Sequence, residues 1–137
     1  MVAESFLDTN VLLYACSAAP EDAGKRQCAG DLILEGAFGL SAQVLQEFIA
    51  NALRKPSLGI GESVIDATIE LASRVPVQPV DLEVVILATT LRRRHQLSHW
   101  DATIVAAAQI LGCRRLYTED LSHDQEFGGL RIVDPFR

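Results

Sequence analysis

The chain has 137 residues, 49% of them hydrophobic and 22% charged, which fits one globular domain and excludes a disordered or fibrous chain. Its 12 basic and 18 acidic residues leave a net charge of −6, which argues against a module that grips nucleic acid through a broad basic surface. An enzyme whose acidic residues hold cations stays open, because a bound metal inverts the local field.

Short β-like runs alternate with longer helical patterns, which points to βαβ units and a parallel sheet. Val2 to Leu7 is the first predicted strand, ending at Asp8-Thr9-Asn10. A helix is predicted around Glu21 to Leu34, and Gly36 and Gly39 punctuate the chain before a short strand at Phe38 to Leu40. Ser41 is the expected N-cap of a helix running to about Lys55, which Pro56 and Gly59 terminate. A further helix fits Glu62 to Arg74. Val75 to Val80, interrupted by Pro76 and Pro79, is a short edge piece. Asp81 to His95 is helical, and Ser98 to Leu111 is an almost wholly apolar helix, hence buried between neighbours. Arg115 to Tyr117 and Leu130 to Val133 are the last two strands. The expected fold class is α/β, with a small parallel sheet flanked by helices, and residues 1–137 form a single domain.

Cys16, Cys28 and Cys113 are odd in number and widely spaced, with no CxxC, so neither a disulfide framework nor a structural zinc site is expected. A reduced, cytoplasmic setting is the simplest reading. No basic stretch precedes an apolar run at the N-terminus, and no apolar run nears the ~20 residues that span a bilayer. No membrane partner is expected.

The acids fall where such a fold brings them together. Asp8 follows the first strand, Asp101 sits in the first turn of the apolar helix, and Glu119 and Asp120 follow the strand at Arg115 to Tyr117, with Asp124 a turn further on. In open α/β sheets the carboxyl ends of the strands line the ligand crevice. Glu47 lies inside a helix whose apolar arc is Val44, Leu45, Phe48, Ile49 and Ala52; at about 100° per residue, Glu47 and Asn51 flank that arc. Each acid has a plainer alternative: Asp8 as an Asx-turn or N-cap, Asp101 as the last residue of a Ser98-x-x-Asp101 capping box, Glu47 on a solvated face, Asp120 in an ordinary loop. Four carboxylates at one sheet edge repel unless cations or protons accompany them, and divalent metal is the economical answer.

Phe6-Leu7-Asp8-Thr9-Asn10-Val11-Leu12, Gln46-Glu47-Phe48, Ser98-His99-Trp100-Asp101-Ala102 running on to Ala108, and Leu116-Tyr117-Thr118-Glu119-Asp120-Leu121 resemble the PIN-domain ribonucleases, in particular the VapC toxins of toxin–antitoxin pairs. Gly129 to Phe136 is similar to their final strand, so the likeness runs through the whole chain in order. The resemblance implies a three-layer α/β/α fold and a metal-dependent endoribonuclease using Mg²⁺ or Mn²⁺. It carries the acidic quartet onto Asp8, Glu47, Asp101 and Asp120, as catalytic residues and metal ligands, with Thr118 as a supporting polar residue. Asp120 is favoured over Glu119 in its loop, Asp124 is a candidate outer ligand, and Thr9, Asn10 and Ser41 are candidates for hydrogen bonds to the carboxylates. It further implies a structured RNA substrate, products with 5′-phosphate and 3′-hydroxyl ends, a cognate antitoxin whose tail covers the cleft, and a homodimer. Apolar residues Val64, Ile65, Ile69 and Leu71, or Val84, Val85 and Leu91, are candidates for the dimer contact.

Other classes fit less well. Catalysis by histidines would need a general acid and base, yet Gln96-Leu97-Ser98 separates His95 from His99 and His123 is in a loop. A phospho-receiver needs a lysine near the last strand, and the only lysines are Lys25 and Lys55. A dehalogenase-like phosphatase wants Asp-x-Asp after the first strand, where this chain has Asn10. A non-catalytic PIN-like binding domain would be favoured by loss of a quartet member, and none is lost. The run Arg92-Arg93-Arg94 suits a helix C-terminus as well as RNA contact; Arg54, Lys55, Arg114 and Arg115 are the other candidate phosphate contacts.

Overall fold

A computed structural model describes residues 3–137. Six strands form one sheet in the order β3-β2-β1-β4-β6-β5. The strands are β1 (Ser5–Leu7), β2 (Phe38–Ser41), β3 (Val77–Gln78), β4 (Arg115–Tyr117), β5 (Glu126–Phe127) and β6 (Leu130–Val133). All pairings are parallel except that of β5 with β6. The helices are α1 (Thr9–Cys16), α2 (Ala23–Glu35), α3 (Ala42–Arg54), α4 (Glu62–Ala72), α5 (Leu82–His95) and α6 (His99–Ile110).

The central strands are short and carry apolar side chains on both faces, as expected where helices cover both sides of a parallel sheet. Phe6, Leu7, Phe38, Leu40, Leu116 and Ile132 are fully buried. Helix α6 contributes an unbroken buried run from Ala102 to Ala108, pressed against α5 and β2. Small side chains in that run let the helix lie close to its neighbours. In α3 the arc read from the sequence faces inward, with Val44, Phe48 and Ala52 buried and Leu45 and Ile49 packed against the core.

Several boundaries differ from the sequence reading. The first strand covers Ser5–Leu7 only, and Val2 lies outside the described residues. A helix, α1, that the sequence reading did not include begins immediately after Asp8; the Asp8 side chain accepts from the Thr9 amide and caps it, the N-cap alternative read for this residue. The helix placed around Glu21 to Leu34 starts with a 3-10 turn at Pro20–Asp22 before α2 proper. The edge piece is β3, two residues long and at the end of the sheet as expected. Strand β5 is an addition: Gly128-Gly129, with Gly128 at φ 62°, turns the chain so that Phe127 pairs back on Leu130. Gln96 ends α5 in a left-handed conformation at φ 56°, which separates His95 from His99. Of the apolar residues considered for a dimer contact, Ile65, Val84 and Leu91 are buried in the chain's own core. Among the described residues, no helix is long and apolar enough to cross a membrane.

Candidate active site

The sheet order sets the location. From β1 the chain proceeds outward to β2 on one side, while β4 lies on the other, so the order reverses between β1 and β4. A crevice forms outside the carboxyl ends of strands at such a point. Asp8 leaves β1 there, and Thr118 to Asp120 leave β4; the Asp8 amide donates to the Tyr117 carbonyl at 3.0 Å and ties the two strand ends together. A cleft of ≈ 230 Å³ opens at this place, and its walls include Asp8, Thr9, Asn10, Glu47, Asp101 and Asp120. All four members of the expected quartet therefore line one cavity, from four different elements.

Each carboxylate is held differently. Asp8 is only 6% exposed. Its Oδ1 accepts from the Thr9 amide at 2.7 Å and its Oδ2 from the Thr118 hydroxyl at 2.7 Å. Thr118 is wholly buried and also accepts from the Asp120 amide at 3.1 Å, so one hydroxyl sets the spacing between two acids. The Asn10 amide donates to Asp120 Oδ2 at 3.0 Å. Glu47 projects from α3, where its Oε2 accepts from the Thr9 hydroxyl at 2.9 Å and its Oε1 from Gln43 at 3.5 Å. Thr9, Asn10 and Thr118 thus each hydrogen-bond to one of the four carboxylates.

Asp101 is presented by the N-terminus of α6. Ser98 caps that helix, its hydroxyl accepting from the Asp101 amide at 3.1 Å. The reciprocal half of a capping box is not made: no hydrogen bond among the described residues uses the Asp101 carboxylate. That leaves its charge free to face the cleft, favoured by the helix dipole.

Electrostatics follow from this crowding. Burial pushes the Asp8 carboxyl up from 3.8 to about 6; the Thr118 and Thr9 hydrogen bonds oppose the rise, and the charges of Asp120 and Glu47 add to it. Asp120 is raised as well, by partial burial first, with Asn10 opposing and Glu119, Asp101 and Asp134 adding. A buried carboxylate beside like charges is short of a positive partner. Asn10 Oδ1 is the one buried side-chain oxygen or nitrogen among the described residues that lacks a hydrogen-bond partner.

The donors are hard oxygens, which suit Mg²⁺ or Mn²⁺. No three Asp, Glu, His or Cys side chains among the described residues already surround one ion position. An ion bound there would take its remaining ligands from water.

Two candidate contributors, Ser41 and Asp124, lie elsewhere, and so does Glu119, over which Asp120 is favoured. The Ser41 hydroxyl accepts from the Val44 amide at 3.2 Å, because an N-cap side chain turns toward its own helix and not toward the carboxylates. Asp124 adopts a left-handed φ of 67° where the chain doubles back toward β5; its carboxylate faces His123 at 3.5 Å and Arg131 at 3.9 Å. Glu119 points away from Asp120, to the Tyr14 hydroxyl and, at 3.0 Å, to Lys25. Lys25 is thereby taken up by Glu119 and the Tyr14 hydroxyl. The histidines do not form a pair: His95 meets Phe127 edge to face, His99 meets Trp100, and His123 accepts from the Asp134 amide. Arg114 and Arg115 bond Glu4 and Ser5, at the amino ends of the strands and hence opposite the cleft. Arg54 reaches the rim through Asn51, which lines the cleft. Asn51, read from the sequence as flanking the apolar arc beside Glu47, is a wall residue, and so are Leu13, Trp100 and Ile104, to which the sequence reading gave no role of their own.

Fold and site define a class: an α/β domain with four carboxylates gathered where the order of a mostly parallel sheet reverses. The PIN domain family matches residues 5–125, and the chain belongs to that family. Among similar solved structures is a toxin–antitoxin complex from Klebsiella pneumoniae, with a TM-score of 0.69 and 19% identity over 96% of this chain and 98% of that one. Another is the Mycobacterium tuberculosis toxin VapC20, described as cleaving the sarcin–ricin loop, with a TM-score of 0.67 and 23% identity over 85% of this chain and 89% of that one. A third is VapBC from Salmonella typhimurium bound to DNA, with a TM-score of 0.64 and 22% identity over 98% and 99% of the two chains. No curated protein sequence matches the chain.

Proposed function

We propose that the protein is a metal-dependent endoribonuclease, the toxin of a VapBC-type pair acting in the cytoplasm. The observation that carries this reading is the convergence of Asp8, Glu47, Asp101 and Asp120 on one cleft at the reversal point of a PIN fold. A bound Mg²⁺ or Mn²⁺ supplies charge neutralisation at the phosphodiester and an activated water. Asp8, Asp101, Asp120 and Glu47 would hold that ion. Thr118 and the Thr9 amide fix both oxygens of Asp8, Asn10 orients Asp120, and the Thr9 hydroxyl orients Glu47. Water would lose a proton and bond to phosphorus as the P–O3′ bond breaks and O3′ takes up a proton, giving 5′-phosphate and 3′-hydroxyl ends.

The same reading includes two protein partners. A cognate antitoxin covers the acidic cleft with a basic side chain, and a second copy forms a homodimer for which Leu82 and Ile86, exposed on α5, offer apolar surface. With a net charge of −6 the chain gains little from bulk attraction to phosphate, which supports selection of a structured RNA by shape.

Production in a bacterial host tests this. Wild-type protein made alone should arrest growth; Asp8→Ala should abolish the arrest, and co-production of the neighbouring gene product should relieve it. Normal growth with abundant folded wild-type protein would contradict the toxin role and favour a non-catalytic binding domain.

A further inference from the structure

A second cavity of ≈ 520 Å³ adjoins the acidic cleft, walled by Gln46, Ala50, Val80, Val85 and His99 and sharing Glu47 and Trp100 with it. Trp100 stands at the partition between the two. It is 65% exposed and is the only tryptophan in the chain. Its main chain is fixed, for its carbonyl accepts from the Thr103 hydroxyl at 2.7 Å and from the Gln43 amide at 3.3 Å. Its ring has one aromatic neighbour among the described residues, His99, edge to face at 5.0 Å. A large aromatic on a rigid helix end, one residue from Asp101, is left mostly open to water.

Single-stranded nucleic acids are held by pairing a phosphate site with an aromatic face, because every base presents a π-surface. We propose that Trp100 is a stacking platform for an unpaired nucleobase of the RNA strand whose phosphate enters the acidic cleft, and that the adjoining cavity receives that base. This rests on the ribonuclease reading above. Three observations favour a nucleobase over a protein side chain as the occupant. The cavity is continuous with the phosphate site through shared walls, so a base attached to that phosphate reaches it without a second binding event. Its volume falls in the range of small-ligand pockets. Gln46 and His99 add polar groups at the wall that can meet a base edge. The acidic chain also needs an uncharged source of affinity, since phosphate attraction is weak for it.

The sole tryptophan makes its own probe. Wild-type protein is titrated with hexaadenylate and hexauridylate in Ca²⁺, following tryptophan fluorescence, and with fluorescein-labelled hexamers, following anisotropy. We expect saturable quenching that persists at high salt. Trp100→Ala should weaken hexamer binding roughly tenfold, and Trp100→Phe should restore most of it, with melting temperatures unchanged because the ring is exposed. A merely structural tryptophan would give neither quenching nor rescue. Hexamer binding without quenching, or binding unaffected by Trp100→Ala, overturns the stacking role and leaves the ribonuclease reading standing. Loss of self-association or of antitoxin binding in Trp100→Ala, with hexamer binding intact, also overturns it and makes the residue a protein contact. Wild-type protein that neither binds hexamers nor cuts RNA removes both readings together.

Discussion

Asp8 shows how much one position can carry. It ends β1, caps α1, accepts the buried Thr118 hydroxyl and faces two other acids. Its folded value of about 6 exceeds the usual carboxylate value, so between those two values the folded chain carries the extra proton. Stability therefore falls as pH rises from about 4 to about 6 and levels off above that, a penalty of up to about 3 kcal/mol. Asp8→Asn keeps an oxygen for the Thr9 amide and removes the charge. It should melt several degrees above wild type at pH 7 without metal, and the difference should disappear near pH 4; thermal melts across that range check it. Equal melting of the two proteins at pH 7 would show that the buried charge is already compensated.

At the scale of elements, α6 separates scaffold from chemistry within one turn. Ser98 holds the helix start and Asp101 faces the cleft. Ser98→Ala should cost about 1 kcal/mol of stability and leave RNA cleavage largely in place. Asp101→Asn should leave stability unchanged or improved, by relief of like-charge repulsion, and lower cleavage by orders of magnitude. Urea melts and cleavage rates on the same two samples distinguish the roles; the opposite pattern would return Asp101 to a capping function.

How far the sequence disclosed these elements depends on their signals. The long amphipathic or apolar helices and the quartet were legible, because periodicity and strand ends mark them locally. Helix α1 was not: it has eight residues, and the six after Thr9 and Asn10 are an unbroken apolar run without helical periodicity, while the Asp8 cap reads equally as a turn. Strand β5 is two residues long, and Gly128-Gly129 was its one available signal. The Glu119 bonds to Tyr14 and Lys25 join positions 105 and 94 residues apart, so nothing local could have shown what Glu119 binds. Trp100 was visible as a residue but its exposure was not, since an aromatic at a helix start is usually buried.

At the scale of the whole molecule, an acidic chain concentrates four carboxylates where its sheet order reverses and leaves few cations beside them. Arg54 reaches the cleft wall through Asn51 and Lys25 pairs with Glu119 next to Asp120, while Arg114 and Arg115 lie at the amino ends of the strands, opposite the cleft. Substrate phosphate can approach such a cleft only if the carboxylate charge is first offset. Cleavage should therefore depend absolutely on divalent cation, and the cleft should be repulsive to RNA without it.

The most direct measurement is cleavage of total bacterial RNA, with ribosomal and transfer RNA intact, by purified protein in Mg²⁺, in Mn²⁺ and in EDTA, with the ends of the products identified. The account predicts discrete cleavage with either ion, none in EDTA, recovery when the ion is restored, and 5′-phosphate ends. Cleavage that persists in EDTA, or that leaves 2′,3′-cyclic phosphate ends, would contradict it.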